Sequence, residues 1–117
     1  AGGARLATTG CREMLRRAWE AIQAGRCEGW GGPVAIAVWD ERRRHWTLGR
    51  DRFGIAPLYW PRQGDWLLFG SEIKALLASG MVPAIPDRRG IDPIFTFTAM
   101  PGPITCREGV QLLRPGH

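Results

Sequence analysis

Few residues in this chain have chemistry to offer. Its 117 residues hold three cysteines, Cys11, Cys27 and Cys106, and two histidines, His45 and His117. A thiol becomes a nucleophile only where a base or a positive surrounding takes its proton. No histidine or other base stands beside Cys11 in the sequence, so a nucleophilic role is set aside. His117 follows a Pro-Gly turn and is not placed as a base. The odd, widely spaced cysteines argue against a disulfide framework. Zinc needs closely paired ligands, so no metal site is expected.

The densest polar cluster is "GRDRFGIAPLYW", residues 49–60. Asp51 follows a strand-like run, and its carboxylate can accept hydrogen bonds from nearby backbone N–H groups. Gly54 permits a positive φ, and Pro57 pre-sets the next segment. From residue types alone, Arg50, Asp51, Gly54 and Pro57 read as a tightly fixed turn between strands. A second cluster, Ser71, Glu72 and Lys74, opens "SEIKALLASG" (71–80). Ser71 is a good N-cap, and Glu72 suits the positive end of a helix. Glu72 and Lys74 read as helix-surface charges, with a domain-interface role as the sharper alternative.

The elements that must position these residues follow from periodicity. From Cys11 to Gly25 the apolar residues Met14, Leu15, Ala18 and Ile22 recur on one face of a helix. Thr9 or Gly10 would cap it. Residues 33–39 form a continuous apolar run, which predicts a strand buried on both faces. "DERRR" turns the chain into "HWTLGR" (45–50), making a hairpin. "IAPLYW" (55–60) predicts a third strand, "PRQGD" (61–65) a turn, and "WLLFG" (66–70) a fourth strand. The helix 71–80 stops at Gly80. A proline-interrupted connector (81–90) leads to a short helix or extended piece (91–103), and a strand is expected around Val110–Leu113. Helix, four-strand meander, helix and tail together predict an α+β domain, an antiparallel sheet with flanking helices. The six tryptophans read as core and sheet packing.

Bulk properties narrow the function classes. The chain is 44% hydrophobic and 23% charged, too apolar for a disordered tail. No apolar run approaches the roughly 18–20 residues that span a membrane. The formal charge is +5, and fifteen of the sixteen basic residues are arginine, Lys74 being the exception. Such a bias is what a GC-rich genome would produce, so it is discounted as a nucleic-acid signal. The arginines are scattered apart from Arg42–Arg44, which read as a solvated hairpin turn, so nucleic acid is not the expected partner. Cysteine usage makes a reducing, cytoplasmic compartment the default.

Three segments in register carry a resemblance: "VWDERRRHWTLGRDRFGIAPLYW", "LLFGSEIKALLASG" and "LLRPGH". They are similar to the second half of the glutaminase domain of glutamine-dependent asparagine synthetases. That family has a strand ending in Trp-Asp, a basic turn, Arg-Asp-x-x-Gly-x-x-Pro-Leu-Tyr, a Ser-Glu-x-Lys-Ala-Leu helix and a closing Pro-Gly-His turn. Here these are Trp39–Asp40, Arg50–Tyr59, Ser71–Leu76 and Pro115–His117. The resemblance covers about residues 8–117.

The resemblance implies a class II glutamine amidotransferase with the N-terminal-nucleophile fold, an α/β/β/α sandwich of which residues 1–117 would be the C-terminal portion. In that family an N-terminal cysteine attacks the glutamine amide, with its own α-amino group as base. Ammonia then passes to a second domain, where ATP and Mg activate the aspartate carboxylate. The nucleophile, the arginine that holds the glutamine carboxylate and the oxyanion-hole segment belong to the family's first half, and the synthetase domain would follow His117. This piece is therefore expected to be inactive alone, with no cofactor of its own. Its partners would be glutamine in an intact parent, and the missing half-domain and synthetase domain in cis or in trans.

The family's aspartate for the glutamine α-amino group aligns with Cys11, in Gly10-Cys11-Arg12-Glu13. A neutral thiol beside an arginine is a poor partner for an ammonium. No aspartate occurs from Ala1 to Trp39 in any register. Arg50 and Asp51 would be an architectural turn or, more sharply, a contact on the ammonia route or synthetase interface. Two other readings stand beside this one. The first is an ATP-dependent amide-forming relative with a degenerate glutaminase site, of the beta-lactam synthetase or lasso-peptide cyclase type. The second is a non-catalytic binding or scaffold domain. Half a sandwich should leave an apolar face uncovered, so the chain is expected to pair with its other half or with a second copy.

Overall fold

The structure is a computed structural model that describes residues 32–117 and, before them, Glu13, Arg16, Arg17, Trp19 and Glu20. The chain divides into two compact units, 1–32 and 33–117. In the first unit the five described residues are helical. Cys11, Cys27, Trp30 and the expected caps at Thr9, Gly10 and Gly25 lie outside the described residues. Glu13 accepts from Arg16 at 2.7 Å and from Arg17 at 2.9 Å, three and four positions on, and Arg16 also pairs with Glu20. Glutamate ahead of its cation is the favourable order on a helix. The bond from Arg16, then that from Arg17, lowers the Glu13 pKa to about 2.

In the second unit, β1 (Ala35–Asp40) and β2 (His45–Arg50) pair antiparallel, from Ala35 opposite Arg50 to Asp40 opposite His45. The basic turn between them is exposed. The expectation of a strand buried on both faces is corrected: β1 is half-buried, and Trp39 is exposed. Trp46 and Trp66 are exposed too, so these three tryptophans are not core residues. Trp39, Trp46 and Phe69 instead form a chain of ring contacts, with centroids 5.4 and 5.2 Å apart.

The single four-strand meander is also corrected. β1 and β2 form a sheet of their own, while β3 (Tyr59–Gln63), β4 (Trp66–Leu67) and β5 (Val110–Leu112) form a second sheet in the order β4-β3-β5. The third strand therefore starts four residues later than expected and runs through Pro61 and Arg62. The cause is local. The Asp51 carboxylate takes the N–H groups of Phe53, Ile55 and Ala56. Those donors are lost to a ladder, Pro57 has none, and pairing begins at Tyr59.

Pro61, fully buried, sits in the central strand, where a missing N–H matters most. Tyr59 and Gly70 exchange both of their bonds, at 2.8 and 3.0 Å. Two residues along, Leu68 donates to the Pro61 carbonyl at 3.2 Å, but Pro61 has no N–H with which to return the bond. The fourth strand accordingly shortens from the expected 66–70 to Trp66–Leu67 and an isolated bridge at Gly70.

Helix α1 spans Ile73–Ala78. Its N-cap is Glu72, not Ser71, and no side chain caps it. The Glu72 carboxylate is spent on Lys74, 2.8 Å away. Helix α2 spans Arg88–Phe97 and begins inside the expected connector, because Asp87 caps it by accepting from Arg89 N at 2.9 Å. The core lies where α1 meets the second sheet. Leu76, Val82 and Val110 form its buried centre, with Tyr59, Leu68, Ile73 and Leu77 packed around them. Thr105 is fully buried and donates its hydroxyl to Val110 O at 2.8 Å. Gly90 lets α2 touch this segment: a Cβ there would lie 2.0 Å from the Thr105 carbonyl oxygen.

Candidate functional site

The site is built where β2 leaves its sheet. The Arg50 N–H donates to His117 O at 2.7 Å, and the Asp51 N–H to Val34 O at 2.8 Å. The chain then curls around the Asp51 carboxylate. Oδ1 accepts from Phe53 N at 3.1 Å and Ile55 N at 2.9 Å, and Oδ2 accepts from Ala56 N at 2.9 Å. The Asp51 carbonyl accepts from Gly54 N and Gly116 N, both at 3.0 Å. Burial pushes the Asp51 carboxyl up, but the N–H bonds from Ile55 and Ala56, with that from Phe53, outweigh it and hold the group below its ordinary value.

Arg50 locks the same loop from the other side. Its Nε donates to Ala56 O at 2.7 Å, its Nη1 to Leu113 O at 2.6 Å, and its Nη2 to Gly54 O. One planar fork thus ties the 54–56 loop to a strand end 63 residues away, a span that a lysine nitrogen does not match. Gly54 has φ +64, and a Cβ there would lie 2.7 Å from Pro115 Cγ and 3.1 Å from Arg50 Cζ. Pro57 is half-buried, and Leu58 behind it is buried. Arg50, Asp51, Gly54 and the Pro115–His117 turn are therefore one bonded unit.

Ser71, Glu72 and Lys74 do not join it. All three are exposed, and with Tyr59 and Ile73 they line a separate open cavity of about 360 Å³. The bond that Lys74 donates to Glu72 raises the Lys74 pKa. Arg50 instead borders a cavity of about 500 Å³ with Met100, Gly102, Leu112, Leu113, Arg114, Pro115 and His117. Sequence reasoning did not single out Arg114, Leu112 or Met100, because nothing local in the sequence links residue 50 to residues 100–114. The Asp87 cap was legible in principle, as an aspartate three residues before a glycine inside a polar run.

Among the described residues the site contains no pair of nucleophile and base. Cys106 is half-buried, and the His117 ring Nδ1 faces the Pro115 carbonyl at 3.0 Å. No group of three or more His, Cys, Asp or Glu that could hold a metal ion occurs among the described residues. No helix there is long and apolar enough to cross a membrane. The arrangement can fix backbone geometry and present guanidinium donors.

With that geometry in view, the class is plain. A family model described as a glutamine amidotransferase domain matches residues 1–117, and the chain belongs to that family. Within it, the chain is of the asparagine-synthetase-like type. It is 36% identical over 118 aligned positions to asparagine synthetase [glutamine-hydrolyzing] 3 of Bacillus subtilis, covering all of this chain and 19% of that protein. It is 36% identical over 76 positions to asparagine synthetase [glutamine-hydrolyzing] 2 of the same organism, covering 65% of this chain and 10% of that protein. It is also 37% identical over 86 positions to amidase chry2 of Gibberella zeae, covering 74% of this chain and 12% of that protein. The chain thus spans a fifth or less of these curated relatives. No solved structure matches it.

Proposed function

We propose that residues 1–117 are the C-terminal portion of a class II glutamine amidotransferase domain of the N-terminal-nucleophile type. The protein that carries them makes an amide with nitrogen drawn from glutamine. The nucleophilic cysteine is supplied by a preceding half-domain. The ammonia passes to a synthetase domain that holds ATP and Mg and activates the aspartate carboxylate. The observation that carries this reading is the bonded unit of Arg50, Asp51, Gly54 and Pro115–His117, which joins two of the family's motifs. The exposed Phe53, Trp66, Phe95 and Phe97 also support it, since a layer whose cover lies elsewhere leaves such residues open. Exposed apolar residues of this kind would also account for pairing with a second copy when the other half is absent.

The test is ammonia release from glutamine by residues 1–117 alone and by the intact protein that contains them. The expected result is none from the first and steady release from the second. Release by the 117-residue chain alone overturns the assignment of the nucleophile to another segment. In the intact protein, Cys11→Asp is expected to lower the KM for glutamine by about tenfold or more with little change in kcat, because it restores an anion for the ammonium.

Cys11 also favours a second reading, a relative that keeps the fold and uses a substrate amine in place of ammonia. An intact protein that releases no ammonia, and that Cys11→Asp does not rescue, would establish it.

A further inference from the structure

The cavity bordered by Arg50 has a composition that the bonded unit does not explain. Its lining includes two arginines, Arg50 and Arg114, and His117, and no acidic residue. A guanidinium has five N–H donors. Arg50 uses three of them on the carbonyls of Gly54, Ala56 and Leu113. Two remain, on a side chain whose orientation those bonds already fix. Arg50 is half-buried, and it has no carboxylate within ion-pair distance among the described residues. Asp51, the nearest acid in sequence, spends both oxygens on backbone N–H groups. A held guanidinium with two unused N–H donors and no carboxylate partner is a ready receptor for an anion. Arg114 is exposed and makes no hydrogen bond or ion pair among the described residues, so it is free to close on a ligand. The His117 ring donates Nδ1–H to the Pro115 carbonyl, because that oxygen can only accept; its Nε2 is left for another partner.

The rest of the lining is Gly102 and the apolar side chains of Met100, Leu112, Leu113 and Pro115. At about 500 Å³ the volume lies within the range of small-molecule sites. A bare inorganic anion would leave most of this wall without a partner. We propose that the cavity binds a small organic carboxylate, with Arg50 and Arg114 meeting the carboxylate and Met100, Leu112 and Leu113 covering its apolar body. A planar carboxylate suits the fork geometry of arginine, and the pre-fixed Arg50 loses little freedom on binding it. Its lining residues all lie in the 33–117 unit, and the binding proposed does not depend on the proposed reaction.

The experiment uses the intact protein that contains residues 1–117. Hexanoate, hexanamide and inorganic phosphate are titrated separately, and the methyl signals of Met100, Leu112 and Leu113 are followed by NMR. Hexanoate is expected to shift those signals saturably, with hexanamide about tenfold weaker, the factor that one charge-assisted contact supplies. Arg114→Gln alters an exposed side chain and leaves the fold intact, and it is expected to weaken hexanoate by a similar factor. Leu112→Ala should weaken hexanoate while leaving phosphate unchanged. Equal response to hexanoate and hexanamide overturns the proposal, as does an Arg114→Gln variant that binds like the parent. Phosphate binding as tightly as hexanoate also overturns it, since the apolar wall would then contribute nothing.

Discussion

Two turns in this molecule are built on one device and put it to different ends. In each, an aspartate closing a strand accepts hydrogen bonds from the N–H groups that follow. Asp40 ends β1 and accepts from Arg43 N at 3.0 Å, inside an exposed hairpin turn. Asp51 follows β2 and accepts from three N–H groups, while the neighbouring Arg50 fastens the loop to Leu113. The first turn only reverses the chain. The second reverses it, ends a sheet and joins two segments far apart in sequence. A local cap becomes a tertiary anchor when the residue just before it is an arginine with distant carbonyls in reach.

The largest effect should come from the anchor's tightest point. Gly54→Ala adds a Cβ at positive φ and 2.7 Å from Pro115 Cγ. Left-handed strain and overpacking together predict a loss of about 2–4 kcal/mol in urea unfolding. A loss below about 1 kcal/mol would mean that the loop yields and the anchor is loose. Next comes Arg50→Lys. One ammonium cannot reach three divergent carbonyls, and the half-buried acceptors it abandons cost about 1–3 kcal/mol. An unchanged unfolding midpoint would reduce Arg50 to a surface residue.

The two aspartates separate by pH. Both carboxyls are held below their ordinary value. For Asp40 the bond from Arg43 N is the leading cause; for Asp51 burial opposes the shift and the N–H bonds overcome it. A folded-state pKa below the unfolded one gives stability that is present above the unfolded value, about 4, and lost as pH falls through the folded value. Asp51→Asn should therefore cost more stability at pH 7 than at pH 3, and Asp40→Asn should show the same sign with a smaller span. Unfolding midpoints at the two pH values decide it. An equal span for the two variants would erase the distinction between cap and anchor.

The hairpin half of this comparison was legible in the sequence, because β1, β2 and their turn lie within sixteen consecutive residues. The anchor was half legible. The carboxylate cap on Asp51 depends on residue types close by, but the reach of Arg50 to Leu113 and His117 depends on a fold in which the 110–117 segment returns. The splitting of the sheet was also hidden. It turns on which N–H groups Asp51 consumes and on the lost donor of Pro61, neither of which a pattern of apolar residues reports. Exposure was misjudged for the same reason: Trp39, Trp46 and Trp66 are apolar by type, but what covers a residue is decided by neighbours far along the chain. For Cys11 the sequence remains the whole basis of its assignment.

The smallest predicted effect lies in the hairpin turn. Arg44 adopts φ 52, a left-handed conformation that costs an L-residue with a Cβ about 1–2 kcal/mol. Glycine removes that cost but gives back part of the gain by enlarging the freedom of the unfolded chain. Arg44→Gly should therefore stabilise the chain by less than about 1 kcal/mol. The sign is opposite to that of Gly54→Ala, although both positions have positive φ. In the anchor, glycine already occupies the left-handed site, and the surrounding atoms forbid anything larger. In the hairpin turn a bulky residue occupies it, because only solvent surrounds the side chain. If Arg44→Gly destabilises in urea, the Arg44 side chain contributes more than its backbone strain costs, and the hairpin turn is itself an anchored element.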